Sequence, residues 1–255
     1  MIMNTIQKEQ EIAKSKMIEE ISFNGYSLAK ITRDNVAIVE AMIRNDSAYI
    51  RTTDVSAKPR KNTNGIVVYG GSTAYWMTLL KRILIDKKRV EYSYKDVIRG
   101  AVEAVDRENS THLNADKCGR AEITSRICSL SKDKMLKCLQ YPEYDNMFLI
   151  REIARVTSAE RRARTNLSFA SKFCHYACFY IFEGTEFQDN YSICDSILKK
   201  VLPLYMCYYG IAQKFDINDY GEYRAAVDTI RDASGIEISR NGFDHLLWYY
   251  HKGRI

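Results

Sequence analysis

Three prolines and 12 glycines in 255 residues leave few places where the backbone is forced to break. Proline ends helices and removes a strand's donor, and glycine supplies positive φ at tight turns. A chain this poor in both is not a sandwich or barrel built on many hairpins. No apolar stretch approaches the roughly 20 residues that span a bilayer, and the opening residues lack the charged, apolar and small-residue order of a secretory signal. No CxxC occurs among the 7 cysteines, and the 4 histidines, His112, His175, His245 and His251, never take H-x-x-x-H spacing. An odd number of cysteines, several of them within apolar helical runs, reads as reduced, buried thiols rather than a disulfide framework or a zinc or iron-sulfur site. A cytoplasmic protein with no membrane contact, no metal and no cofactor is expected.

What is present points to helices. Apolar residues recur at three- and four-residue intervals through most of the length, and the expected class is all-α, with at most one short strand pair near residue 67. The net charge of +6 permits an attraction to polyanions such as nucleic acid without demanding one.

Along the chain, residues 1 to 50 read as an amphipathic helix, a turn at Asn24-Gly25 and a second helix from Thr32 to Ile43. The polar stretch 45–64, with Lys58-Pro-Arg-Lys61, reads as a loop, and Gly65 to Gly71 as the one strand-like run. Helices are expected at 72–87, 94–107, 121–130, 132–139 and 145–156. Thr157-Ser-Ala-Glu160 has the pattern of a capping box opening a further helix that carries Arg161, Arg162 and Arg164. Asp219-Tyr-Gly-Glu222 is a second capping box, and Ser239 precedes the last helix, 244–251. The expected organisation is two helical lobes, residues 1–71 with 190–255 and residues 72–189, with a helix-hairpin-helix at the cleft closing the second.

The segment with most chemistry is Asn166-Leu-Ser-Phe-Ala-Ser-Lys172, followed by Tyr191-Ser-Ile-Cys-Asp195. Each ionisable residue precedes an apolar run, and each reads as standing at a helix start. A lysine entering such a run is costly unless its ammonium has a partner or a task. Burial favours the neutral amine, which attacks a sugar C1′ or a carbonyl to give a Schiff base. A carboxylate then stabilises positive charge on the sugar and moves protons. The plain alternative is a lysine that snorkels to water and an aspartate that caps its helix.

Ser168-Phe-Ala-Ser-Lys172-Phe-Cys-His-Tyr together with Ser192-Ile-Cys-Asp195-Ser-Ile-Leu resembles the helix-hairpin-helix DNA glycosylase superfamily, in particular its 8-oxoguanine glycosylase-like branch. The likeness covers about residues 145 to 255, ending in the aromatic Asp244-His-Leu-Leu-Trp248-Tyr-Tyr-His-Lys252. It implies a DNA N-glycosylase with AP-lyase activity, acting in DNA repair or antiphage defence on double-stranded DNA with a damaged or modified base. Lys172 would be the nucleophile and Asp195 its electrostatic partner. Arg161, Arg162, Arg164, Ser168 and Ser171 would hold the DNA, and His175, Tyr176, Phe243 and Trp248 would line the pocket of the flipped base. The superfamily's hairpin reads Leu-Pro-Gly-x-Gly before the lysine, whereas Thr165 to Ser171 contains no glycine. That departure favours the alternative implied by the same resemblance, a catalytically degenerate module in a bacterial defence system that binds nucleic acid, a nucleobase or a protein.

Overall fold

The computed structural model describes residues 17–45, 60–61, 67–109, 111–113, 119–144, 146–157 and 162–255. The chain forms two compact units, Met1–Arg51 with Asp195–Ile255, and Thr52–Cys194. Ten α-helices dominate the described residues, with three two-stranded antiparallel ribbons. The all-α class therefore stands, and two ribbons beyond the one near residue 67 are added to it.

In the first unit, β1 (Glu20–Phe23) pairs with β2 (Tyr26–Ala29) across Asn24-Gly25, whose φ values of 49° and 79° are the left-handed pair a two-residue hairpin needs. The amphipathic helix expected ahead of that turn is a strand over 20–23, because Asn-Gly chemistry folds the chain back on itself; residues 1–16 lie outside the described set. Helix α1 (Arg33–Asn45) follows, locked to the hairpin by the buried Asn35. Its amide donates to the Glu19 and Lys30 carbonyls, both at 2.8 Å, and accepts the Glu19 N–H at 3.0 Å.

The remaining helices of this unit are α8 (Ser196–Tyr208), α9 (Tyr220–Ser234) and α10 (Arg240–His251). Each starts on an oxygen-bearing cap, Asp195, Asp219 and Ser239 respectively, and α9 stops at Gly235 in the left-handed region. Tyr205 of α8 donates to the Ala29 carbonyl at 2.9 Å, and Tyr250 of α10 donates to Glu20 at 2.7 Å, so both helices reach the hairpin. Because the Tyr205 proton goes to Ala29, the 3.2 Å contact with His251 requires His251 Nε2–H to be the donor.

The second unit runs from β3 (Arg60–Lys61) and β4 (Val67–Val68) through α2 (Thr73–Leu84), α3 (Tyr94–Asn109), α4 (Gly119–Ser129), α5 (Lys132–Gln140) and α6 (Phe148–Ala154). It continues through β5 (Arg155–Thr157), β6 (Ala163–Thr165) and α7 (Leu167–Ile181), then a 3-10 turn at Glu186–Asp189 and a run without regular structure to Cys194. Helix α7 is its centre and packs on α2, α3 and α6 with Phe169, Ala170, Phe173, Cys174, Ala177 and Cys178 fully buried. Trp76 is also fully buried, its indole N–H on the Gly70 carbonyl at 2.6 Å. The chain around it is tied to α3: Glu103 accepts the Tyr69 N–H at 3.0 Å, and Arg107 donates to the Tyr69 and Gly71 carbonyls.

The helix expected to carry Arg161, Arg162 and Arg164 does not form over the described part of that stretch. Arg155, Val156 and Thr157 pair instead with Thr165, Arg164 and Ala163. Thr157 does not open a helix because its N–H and hydroxyl are both taken by Glu122 of α4, at 2.9 and 3.0 Å. Residues 158–161, Arg161 among them, and most of the 45–64 stretch lie outside the described residues.

Two stability outcomes follow from this packing. A Cβ on Gly100 of α3 would stand 2.3 Å from the Trp76 ring, so Gly100→Ala is expected to lower urea stability by about 1–3 kcal/mol. Burial depresses the His251 pKa to about 4, below the 6.5 of an exposed histidine. The unfolded chain therefore takes up a proton that the folded chain refuses. Stability held above pH 6.5 is lost as pH falls from there through about 4, and His251→Gln should flatten that limb in parallel denaturation series.

Candidate active site around the Lys172 helix

Helix α7 begins on Asn166, whose Oδ1 accepts the Phe169 N–H at 3.0 Å while its Nδ2 donates to the Thr111 carbonyl at 3.0 Å. No proline or glycine separates Asn166 from Lys172, so the helix propagates without a break. Lys172 consequently lies in the second turn of α7 rather than at its start, half-buried between the fully buried Ser171 and Phe173. Asp195 stands where the sequence puts it, as the cap of α8. Its Oδ1 accepts the N–H groups of Ile197 and Leu198, both at 3.0 Å, and the residue is 7% exposed.

The chain leading to Asp195 is buried over residues 191–194, and Asn190, Tyr191 and Cys194 bond it to the helices of the second unit. Asn190 donates to the Leu139 and Gln140 carbonyls at 2.9 and 2.8 Å, and Tyr191 donates to the Cys138 carbonyl at 2.6 Å. These close the C-terminal end of α5, where a helix leaves carbonyls without intrahelical donors. The Tyr191 carbonyl accepts from His175 Nδ1–H at 2.9 Å, and the Cys194 N–H donates to Ser171 Oγ at 2.9 Å. Ser171 and Cys194 are the residues immediately before Lys172 and Asp195.

The structure places the other expected site residues as follows. Ser171, expected to hold DNA, is fully buried and its hydroxyl is engaged with Cys194 and the Ser168 carbonyl. Ser168 is half-buried in the first turn of α7. His175 is a core histidine, 2% exposed, bonded to Tyr191 and stacked on Phe179. Tyr176 donates to Asn109 at 3.0 Å. Phe243 is fully buried in the core of the first unit, and Trp248, in the same unit, is half-buried with its ring against Tyr249. The four pocket residues are thus divided between the two units.

The ribbon β5–β6 leads directly into α7 and is exposed along β6, with Arg162 and Arg164 both on the surface. Its base is fixed by Glu122, by Arg126 on the same carboxylate at 2.6 Å, and by the Asn166 N–H on the Ala154 carbonyl at 2.7 Å. Of the nucleophiles near Lys172, the Cys174 thiol is held well above its ordinary pKa by burial and stays protonated. Among the described residues, no three His, Cys, Asp or Glu side chains are placed to hold a metal, and no helix is long and apolar enough to cross a membrane.

Sequence reasoning missed Glu122, Asn190 and Tyr191, which fix the ribbon and the approach to Asp195. Nothing local marks them, since each acts on a segment distant in sequence. Asn166 was legible, being an asparagine directly ahead of an apolar run. Comparison with protein-family models, curated proteins and solved structures returns no match.

Ser171→Ala leaves the buried Cys194 N–H without its acceptor. A loss of about 1–3 kcal/mol in denaturant unfolding is expected, with faster amide exchange at Cys194. A change under about 0.5 kcal/mol would show that the hydroxyl does not hold the segment.

Proposed function

We propose that the chain is a DNA N-glycosylase with AP-lyase activity that removes a damaged or modified, oxidised-purine-like base from double-stranded DNA. One observation supports it above the others: the Cys194 N–H to Ser171 Oγ bond joins the residues that immediately precede Lys172 and Asp195. A lysine and a carboxylate whose neighbours are bonded are the two groups that covalent cleavage of an N-glycosidic bond requires.

In this reading the target base is turned out of the stack at a cost of a few kcal/mol. The neutral Lys172 amine attacks C1′, the C1′–N bond breaks, and its electron pair leaves with the base, which gains a proton. Opening of the sugar ring gives the imine, and loss of a C2′ proton then expels the 3′-phosphate. Asp195 stabilises positive charge at C1′; its cap bonds use Oδ1, so capping and catalysis do not compete for Oδ2. Arg162 and Arg164, with Arg161 next to them in sequence, supply cations on an exposed ribbon, a form that suits phosphate contact or entry into a groove.

A second reading keeps the nucleic-acid grip and loses the reaction, as a glycosylase-like module of bacterial defence. It is favoured by the position of Lys172 in the second turn of α7, past the amides of the helix end.

Duplexes carrying 8-oxoguanine, uracil, an abasic site or modified phage bases, incubated with the protein and borohydride, separate the two. The enzyme gives a covalent adduct that disappears in Lys172→Gln, and base release that falls by at least about a hundredfold in Asp195→Asn. Duplex binding with no adduct on any substrate selects the second reading.

A further inference from the structure

The end of α3 and the chain just past it are bonded to α7 on both sides of Lys172. Ahead of the lysine, the Thr111 carbonyl accepts from Asn166 at 3.0 Å; beyond it, Asn109, the last residue of α3, accepts from the Tyr176 hydroxyl at 3.0 Å. Lys172 lies six residues past Asn166 and four before Tyr176, so the two ties bracket its turn of the helix. From Phe169 to Cys178 only Lys172 and Tyr176 are half-buried, and the other residues are buried. A spacing of four puts their Cβ atoms about 5–6 Å apart on one face.

The direction of the Tyr176 bond is fixed by what Asn109 does with its other end. Asn109 Nδ2 donates to the Val105 carbonyl, one turn back on α3, at 3.0 Å. A carbonyl only accepts, so the amide cannot be turned over, and the atom left for Tyr176 is Oδ1, which has no hydrogen to give. The phenol proton is therefore committed to Asn109. Towards any further partner the Tyr176 oxygen is an acceptor alone, whereas a tyrosine in water gives or takes as its hydroxyl turns.

Such an oxygen pairs with an N–H and is left facing a lone pair unpaired. Guanine shows a bare acceptor at N7, and guanine oxidised at C8 to the carbonyl carries a hydrogen there. We propose that Tyr176 is the specificity-determining residue of the Lys172 site and Asn109 the residue that positions it, the pair admitting a base that presents an N–H and rejecting one that presents a lone pair. Asn109 touches no base: it acts by holding the phenol proton away. The inference deepens the glycosylase reading and rests on it for the class of ligand.

The test is equilibrium binding, by fluorescence anisotropy, of the Lys172→Gln chain to two labelled duplexes that differ only in carrying 8-oxoguanine or guanine at one position. Removal of the amine separates recognition from reaction. The 8-oxoguanine duplex should bind about five- to a hundredfold tighter. In that background Tyr176→Phe, which keeps the ring, should erase the preference by weakening the 8-oxoguanine duplex alone. Asn109→Leu releases the phenol proton, which can then be given to guanine N7, so the preference should fall by about fivefold or more, with the guanine duplex held more tightly than before. A merely structural role for Asn109 would weaken both duplexes alike. Absence of any preference at the outset, a preference unchanged in Tyr176→Phe, or equal weakening of both duplexes in Asn109→Leu would each overturn the inference. Its failure is distinct from failure of the catalytic reading, because the borohydride adduct of the wild type is read separately and does not depend on the preference.

Discussion

A buried stretch of chain that is neither helix nor strand withdraws polar groups from water at a cost, and the second unit depends on where Asn190, Tyr191 and Cys194 place theirs. An unpaired buried peptide group costs about 1–3 kcal/mol. Here the donors of Asn190 and Tyr191 go to the carbonyls that end α5, and the acceptor of Tyr191 and the donor of Cys194 go to side chains of α7. The exchange is reciprocal. The helix end is completed by the same residues that the extended chain needed to satisfy, so α5, α7 and the approach to Asp195 are held as one piece.

The same economy governs the ribbon. Glu122 binds Thr157 through two groups and Arg126 through a third contact, so a single half-buried carboxylate fixes the point at which α6 gives way to β5. With that root fixed and Asn166 closing the other side, the exposed arginines sit on a short lever rather than on a helix face.

The helices were largely legible because their signals are local: periodic apolar faces, Ser or Asp caps, and Pro142 after α5. Asp195 was found for that reason, since a cap is written within four residues of itself. Lys172 was displaced by more than a turn because Asn166 caps the helix and Leu167 and Ser168 carry it on toward the lysine, where the family likeness had drawn its start. The two unforeseen ribbons have different causes. At β1–β2 the Asn-Gly turn was recognised but not the reversal it imposes. At β5–β6 the deciding partner, Glu122, lies 35 residues away from Thr157, and no window along the chain contains both. The partner of His175 is equally remote, the carbonyl of Tyr191, 16 residues on.

The division of the chain has a consequence for how the protein comes to be made. The first unit is discontinuous: its hairpin and α1 are synthesised ahead of the whole second unit, and their packing partners α8 and α10 only after it. Leu28, Ala29, Ile31 and Val39, all buried in the finished fold, therefore lack the cover of α8 and α10 until the intervening unit has been made. Closing so long a loop adds little to the equilibrium cost, because that cost grows only with the logarithm of its length. The delay is instead a matter of time, during which the hairpin's apolar face awaits the two helices that cover it in the finished fold.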